Sequence, residues 1–203
     1  MKQFLIIIAA FAFILPVHSQ DSESYTDKKN EINIGFFNAF ELNNFSDLGI
    51  GYKRMARNGA WRIGTGLYFS DYEYDGEVSV TTHGGYNISP RIGYEWHQYY
   101  NRFQLQYGTD VVTSFHKSTL EEVNETYYRF QQSIDNKISI RPFFGLKVFI
   151  TKSISISTET YLDIGYTKGT FENNTSTNNS MRTEKGASVL LGPLGVFSIN
   201  FHF

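Results

Sequence analysis

Apolar and polar residues alternate with a period of two along most of the chain beyond residue 30. Successive side chains of an extended strand point to opposite faces, so this alternation indicates strands with one apolar and one polar face. The pattern predicts eight strands, with ends placed to within a few residues. The predicted strands are about 31–40, 47–56, 60–74, 86–98, 102–117, 136–150, 153–168 and 185–203.

The predicted connections alternate between short and long. Short connections follow the second, fourth and sixth strands, near residues 57–59, 98–101 and 151–153. Long polar loops are predicted after the third, fifth and seventh strands, the last of them rich in Asn, Ser and Thr. Tight turns at one end and long loops at the other are typical of outer-membrane barrels, in which the short turns face the periplasm.

The two faces of each predicted strand differ in size as well as in polarity. The fourth strand sets Ile88, Ile92, Tyr94 and Trp96 against Ser89, Arg91, Gly93 and Glu95. Alternation alone does not say which face points inward, because a soluble lipocalin-like barrel buries its apolar face. The interior of an eight-stranded barrel is only wide enough to be filled by side chains. We therefore expect the bulky apolar faces to contact lipid and the small and charged faces to line the lumen.

This orientation predicts an ion network inside the barrel. Charged groups removed from water persist when they are paired with opposite charges. We expect the network to close the lumen; a narrow pore for small solutes is the alternative. The predicted members are Lys53, Arg62, Arg91, Glu95, Asp110, Arg141, Lys147, Glu159 and Asp163.

Aromatic residues flank two of the predicted short turns. Trp61 follows the turn at 57–59, while Trp96 precedes and Phe103 follows the turn near residue 99. Aromatic rings are enriched at membrane–water interfaces. These three residues therefore predict a membrane girdle at the short-turn end.

The first 19 residues have the layout of a secretory signal peptide. Lys2 is followed by an apolar run from Phe4 to Val17, about 14 residues long, which is shorter than a membrane-spanning helix requires. We expect cleavage between Ser19 and Gln20. Residues 20–30 are polar and predict a flexible lead-in, so the barrel domain is assigned to residues 31–203.

Composition supports a secreted membrane barrel and offers no cofactor. The chain has no cysteine, 17% of its residues are aromatic, and its formal net charge is -2. Beyond the signal peptide no apolar run is long enough for a transmembrane helix. The charge gives no reason to expect a nucleic-acid partner, and the scattered histidines do not have zinc-binding spacing.

The last strand carries the residues of a family resemblance. Phe197, Ile199, Phe201 and Phe203 alternate up to the C-terminal phenylalanine. This ending resembles the C-terminal signature of outer-membrane β-barrels. With the strand layout, it makes the chain look like the small outer-membrane β-barrel family that includes the OmpA transmembrane domain and OmpX. The resemblance implies residence in the cell outer membrane and recognition of the last strand by the barrel-assembly machinery.

These observations predict an all-β, eight-stranded antiparallel up-and-down transmembrane barrel that is not an enzyme. We expect a monomer in contact with outer-membrane lipid and lipopolysaccharide, with exposed loops that contact surfaces or envelope components. The alternatives are the narrow pore and an enzyme that modifies the acyl chains of lipid A. For that enzyme the candidate residues are Ser114 and His116 with Glu121 or Glu122.

Overall fold

The structure is a computed structural model that describes residues 27–37, 48–76, 79–124 and 127–203. The predicted signal peptide, most of the lead-in and the first predicted loop lie outside these residues. The described residues form eight strands. They are β1 (Asn30–Phe37), β2 (Leu48–Ala56), β3 (Gly59–Asp75), β4 (Val80–Tyr100), β5 (Phe103–Val123), β6 (Tyr128–Phe149), β7 (Ile154–Thr175) and β8 (Asn179–His202).

The strands form one closed antiparallel sheet in chain order. Each strand pairs with the next, and β1 pairs with β8 to complete the ring. The closing ladder sets Glu31 opposite His202 and Ile34 opposite Ile199. The predicted all-β, eight-stranded antiparallel barrel is therefore confirmed. Closure matters physically because it leaves no strand edge in the paired part of the ring.

Short turns lie at one end of the barrel, as the sequence predicts. The connections from β2 to β3, β4 to β5 and β6 to β7 span only residues 57–58, 101–102 and 150–153. In the second of these turns Asn101 has a φ of 54°. Asparagine tolerates this left-handed conformation better than most residues, because its short side chain can bond locally to the backbone.

The prediction of long loops at the other end was wrong for the connections that follow β3, β5 and β7. β3 and β4 continue to residues 75 and 80, β5 and β6 to 123 and 128, and β7 and β8 to 175 and 179. Most residues of the predicted loops thus belong to paired strands, and only residues 76–79, 124–127 and 176–178 lie between them. Both faces of these segments are polar, so they lack the apolar alternation that marks a half-buried strand, and cross-strand pairing alone reveals them.

Burial alternates along the part of each strand that lies nearest the short turns. In β2 every second residue from Gly49 to Lys53 is buried, and the residues between them are exposed. In β5 every second residue from Gln104 to Val112 is buried, and the residues between them are half-buried or exposed. In a closed barrel the buried face is the interior, so alternate positions along each strand point to the lumen and to the exterior.

No helix within the described ranges is long and apolar enough to cross a membrane.

Candidate functional site

The barrel interior is the candidate functional site, and all nine residues predicted for the ion network face it. Eight of them are buried, and the Arg141 side chain is 16% exposed. The buried eight are Lys53, Arg62, Arg91, Glu95, Asp110, Lys147, Glu159 and Asp163. Four residues that were not predicted, Glu31, His97, Lys137 and His202, take part in the same network.

The layer nearest the short turns is built around Glu31. Its carboxylate lies 2.5 Å from Lys147 Nζ and 3.4 Å from Lys53 Nζ. His202 Nδ1 lies 3.5 Å from the same carboxylate, and its Nε2 is 2.8 Å from Ser155 Oγ. Both lysines and Glu31 are almost completely buried. This layer therefore joins distant regions of the chain across the lumen.

Glu95 connects this layer to the middle of the barrel. Lys53 Nζ donates to both carboxylate oxygens of Glu95 at 3.0 and 2.9 Å. Arg62 Nη1 donates to Glu95 at 3.0 Å, and His97 Nε2 lies 2.7 Å from it. Three side chains thus contact one carboxylate. A charge that is removed from water requires hydrogen-bonding partners of this kind.

Arg62 occupies the centre of the network. Besides Glu95, its guanidinium donates to Glu159 at 3.1 and 2.9 Å, and its Nε lies 3.3 Å from Asp110. The guanidinium carbon also sits 4.2 Å from the centre of the Phe143 ring. One planar cation therefore contacts carboxylates from three strands, a role that suits the several fixed donors of arginine.

Asp163 organises the layer farthest from the short turns. Arg141 donates to Asp163 Oδ2 through Nε at 3.0 Å and Nη2 at 2.6 Å. Lys137 Nζ forms an ion pair with the other carboxylate oxygen, and Ser139 Oγ donates to Oδ2 at 3.2 Å. Arg141 also stacks 4.5 Å from the Tyr161 ring centre. Lys137 and Arg141 are partly exposed, so the buried network ends at this layer, on the side away from the short turns.

The four missed members carried a sequence signal. Lys137 shares the parity of Ser139 and Arg141, and Glu31 shares that of Asn33. Extending each predicted inward set to the strand ends would have included all four. The alternation along a strand does not predict which residues pair across the lumen. Glu31 and Lys147, for example, are 116 residues apart in sequence.

Glycines on the inner face make room for the charged side chains. A Cβ added at Gly93 would lie 2.1 Å from Asp110 Oδ1, and one at Gly108 would lie 2.1 Å from the carbonyl oxygen of Tyr94. Neither position can accept a larger residue without a shift of backbone or of the network. The small inward residues are thus a steric condition of the narrow lumen.

The outer face of the barrel is apolar. Trp61 is 61% exposed, and Ile63 and Ile92 are 57% and 56% exposed. Large exposed apolar areas are rare on monomeric proteins that face water, where extensive patches mark interaction surfaces. Outward apolar residues occur on every strand of the ring, so this band needs an apolar environment.

Aromatic rings mark the short-turn edge of this band. Trp61 and Trp96 pack edge to face against Tyr94, with ring centres 5.2 and 5.1 Å apart, and Trp96 stacks on Tyr107 at 5.8 Å. Phe103, the third predicted girdle residue, is 49% exposed on the same outer face. The Trp and Tyr rings form a continuous cluster across β3, β4 and β5.

A second group of rings, which the sequence reasoning did not single out, lies farther along the strands. Phe69, Tyr86, Phe115 and Tyr166 are all exposed on the outer face. Each is followed in the direction away from the short turns by outward residues that are mainly polar. Eight residue steps separate Trp61 from Phe69, which at about 3.3 Å per step and a tilt of about 40° is roughly 20 Å along the barrel axis. We call this second group the exterior ring.

The four residues predicted to carry the assembly signal lie on the outer face at the closing seam. Phe197, Ile199 and Phe201 pair with Phe36, Ile34 and Ile32 of β1. Phe203 is 53% exposed, and its backbone exchanges two hydrogen bonds with Asn30. The last strand thus completes both the apolar band and the backbone ladder.

The residues considered for catalysis do not form a triad. Ser114 Oγ is 2.9 Å from Ser89 Oγ, and within the described part of the chain no hydrogen bond joins Ser114 to His116. Glu121 and Glu122 lie on opposite faces of β5, farther toward its end. No group of metal-ligating side chains occurs among the residues that the structure describes.

Taken together, these features define a closed eight-stranded β-barrel with an ionic interior and an apolar outer band. No protein-family model matches the chain, and no curated protein matches it. Its fold is similar to the crystal structure of a major outer membrane protein from Thermus thermophilus. The TM-score is 0.54 with 14% identity, over 87% of this chain and 100% of that chain. Acinetobacter baumannii CarO is less similar, with a TM-score of 0.40 and 10% identity over 86% of this chain and 96% of that chain.

Proposed function

We propose that the chain is a non-enzymatic outer-membrane β-barrel with its short turns in the periplasm and its lumen closed by the ion network. The observation that carries this proposal is the polarity of the barrel, which is ionic inside and apolar outside. In hydrocarbon every backbone polar group needs a partner within the protein, and a closed sheet supplies one. The fold that the chain shares with an outer membrane protein supports the same interpretation.

The two possible environments differ strongly in free energy. In water the outer band would expose large side chains such as Trp61, Ile63 and Phe69 while charged groups stayed buried. Apolar burial is worth about 25 cal/mol per Å², so covering the band with lipid provides a large favourable term. A water-soluble barrel would have the opposite arrangement. The interior charges are tolerable in either case only because they are paired.

The packing of the interior supports a closed lumen. Phe143, Phe149, Val112 and Val196 are buried among the ion pairs, so apolar as well as charged side chains fill the tube. Barrels with open aqueous channels generally have about 16 strands or more. We therefore favour a closed lumen over the narrow pore.

The part of the barrel beyond the exterior ring is the surface best suited to a biological role. There, six strands continue as a polar sheet past the apolar band, with Asp71, Glu73 and Asp75 outward on β3. In the proposed orientation this sheet stands outside the cell. We propose that it contacts external surfaces or envelope components, in place of the long exposed loops that the sequence suggested.

Membrane fractionation with heat-modifiable gel mobility tests the location. We expect the full-length protein in the outer-membrane fraction, with different mobility before and after boiling. Mass spectrometry of the mature protein should find Gln20 at its N-terminus if the proposed signal peptide is removed. Removal of Phe203 should reduce assembly if the last strand is recognised by the assembly machinery. A soluble protein with unchanged mobility would refute the proposal.

Planar-bilayer recording tests the closed lumen. We expect no steady single-channel openings from the purified barrel, with a 16-stranded porin as the positive control. Reproducible openings would favour the narrow pore. Lipid A from expressing and non-expressing cells should give the same mass spectrum, and a changed acyl pattern would contradict the non-enzymatic assignment.

A further inference from the structure

Lysine is the first outward residue past the apolar band on three strands. On β5 Lys117 follows Phe115, and on β7 Lys168 follows Tyr166. On β8, which runs in the opposite direction, Lys185 is the next outward residue beyond Ala187. On β3 the corresponding residue is the acidic Asp71. Within the described strands, these three lysines therefore lie on the side of the barrel formed by β5 to β8.

Two of these lysines are direct neighbours in the sheet. Lys168 and Lys185 are registered partners in the ladder between β7 and β8, on the outer face. Opposed residues on one face have Cβ atoms about 5 Å apart, and like charges in this arrangement repel each other. Within the described residues neither lysine forms an ion pair, although the exposed Arg182 nearby pairs with Glu184 on the other face.

Among the described residues, the registered neighbours of the pair on the same face carry hydrogen-bonding groups and no carboxylate. Asn136 of β6 is the registered partner of Lys168 on its other side. Thr170 and Thr183 form the next outward pair of the β7–β8 ladder. The next acidic residue on the outer face of β7 is Glu172, four positions beyond Lys168. Two ammonium groups and one amide thus lie in one row of the sheet.

We propose that Lys168, Lys185 and Asn136 bind the phosphate of a lipid headgroup in the outer leaflet. This inference rests on the proposed membrane location and names a partner for that surface. A phosphate between the two ammonium groups would replace their repulsion with two charge-assisted hydrogen bonds. The site directly follows the exterior ring, at the level where lipid headgroups meet water. A phosphorylated glycolipid such as lipid A supplies this chemistry.

Native mass spectrometry of the purified barrel in detergent measures the binding directly. The probes are lipid A and the same lipid after removal of its phosphates. Each basic residue near an anionic surface contributes about 1 kcal/mol, so Lys168→Gln and Lys185→Gln should each weaken lipid A binding about fivefold. Lys152→Gln is the matched control, because Lys152 is an exposed lysine in the turn at the opposite end.

Thermal unfolding gives a second readout, because the effect of Lys185→Gln on the melting temperature should change sign when lipid A is added. Without phosphorylated lipid, Lys185→Gln removes a like-charge contact and should leave the melting temperature equal or slightly higher. With lipid A, the same variant should melt at a lower temperature than the parent protein. Lys152→Gln should show no such dependence on lipid.

The outcomes separate this site from the membrane assignment. A barrel that inserts and shows heat-modifiable mobility, but binds both lipids equally or loses nothing in the two lysine variants, refutes the phosphate site alone. Failure to enter membranes refutes the proposed function itself. Competition by millimolar inorganic phosphate as strong as that by lipid A would show that a free anion, not a lipid headgroup, occupies the site, and would also refute the proposal.

Discussion

Replacement of Arg62 by methionine is the most direct test of the buried ion network. Methionine keeps an unbranched side chain as far as the position of the arginine Nε but removes every donor. The guanidinium makes three hydrogen bonds to Glu95 and Glu159, between 2.9 and 3.1 Å, and one ion pair with Asp110 at 3.3 Å. The variant therefore leaves three buried carboxylates without their shared cation.

The expected loss of stability is large. Hydrogen bonds to charged groups contribute about 1.5–3 kcal/mol each, but bonds that share one group are not additive. Breaking a buried ion pair by removing one partner costs about 3–5 kcal/mol. We expect Arg62→Met to lose about 4 kcal/mol of the free energy of unfolding. Adding Glu159→Gln should recover part of that loss, because one stranded carboxylate becomes neutral.

Urea unfolding of the barrel in detergent micelles, followed by tryptophan fluorescence and by gel mobility, measures this loss. Arg182→Met is the matched control, because Arg182 forms an exposed ion pair with Glu184 at 3.0 Å. Exposed pairs contribute about 0–1 kcal/mol. If Arg62→Met cost no more than the control, water would have to solvate the carboxylates, and the closed lumen would be refuted.

Three further predictions use matched pairs or opposite environments. Gly108→Ala should destabilise or prevent folding, because its Cβ would lie 2.1 Å from a neighbouring carbonyl oxygen, whereas Gly186→Ala, with nothing within 4 Å, should be neutral in a thermal melt. Ile92→Arg, at an outward position 56% exposed, should cost about 2–4 kcal/mol in lipid vesicles, whereas unchanged stability would indicate a water-facing surface. Gln104→Leu should be neutral or stabilising in urea, since the described structure gives neither amide atom a hydrogen-bond partner, while Gln106→Leu loses its bond to Glu159 and should destabilise.

The two segments that the sequence reasoning handled least well show where local pattern stops being informative. Residues 176–178 connect β7 and β8, although the surrounding Asn- and Thr-rich segment resembles one long loop. Asn174 and Asn179 are registered partners there. The same is true between β5 and β6, where Val123 pairs with Tyr128. Pairing in both segments depends on the two strands meeting, since neither segment has a continuous apolar face to bury.

The sequence by itself determined the number of strands, their direction and the face on which each side chain lies. The faces follow from the two-residue period of an extended chain, which is local, and the number and antiparallel direction of the strands follow from the short turns between them. The sequence also determined that the small and charged side chains point inward, because the interior of an eight-stranded barrel leaves no volume for the bulky apolar side chains.

Only the tertiary structure decided which charges meet. Arg62 reaches Glu159 across 97 residues of sequence, and Glu31 reaches Lys147 across 116. The same holds for Lys168 and Lys185 on the outer face, whose opposition depends on the register of one ladder. Parity assigns a residue to a face, but its partners are fixed by strand register and by the closure of the sheet, which bring distant positions to the same level of the barrel.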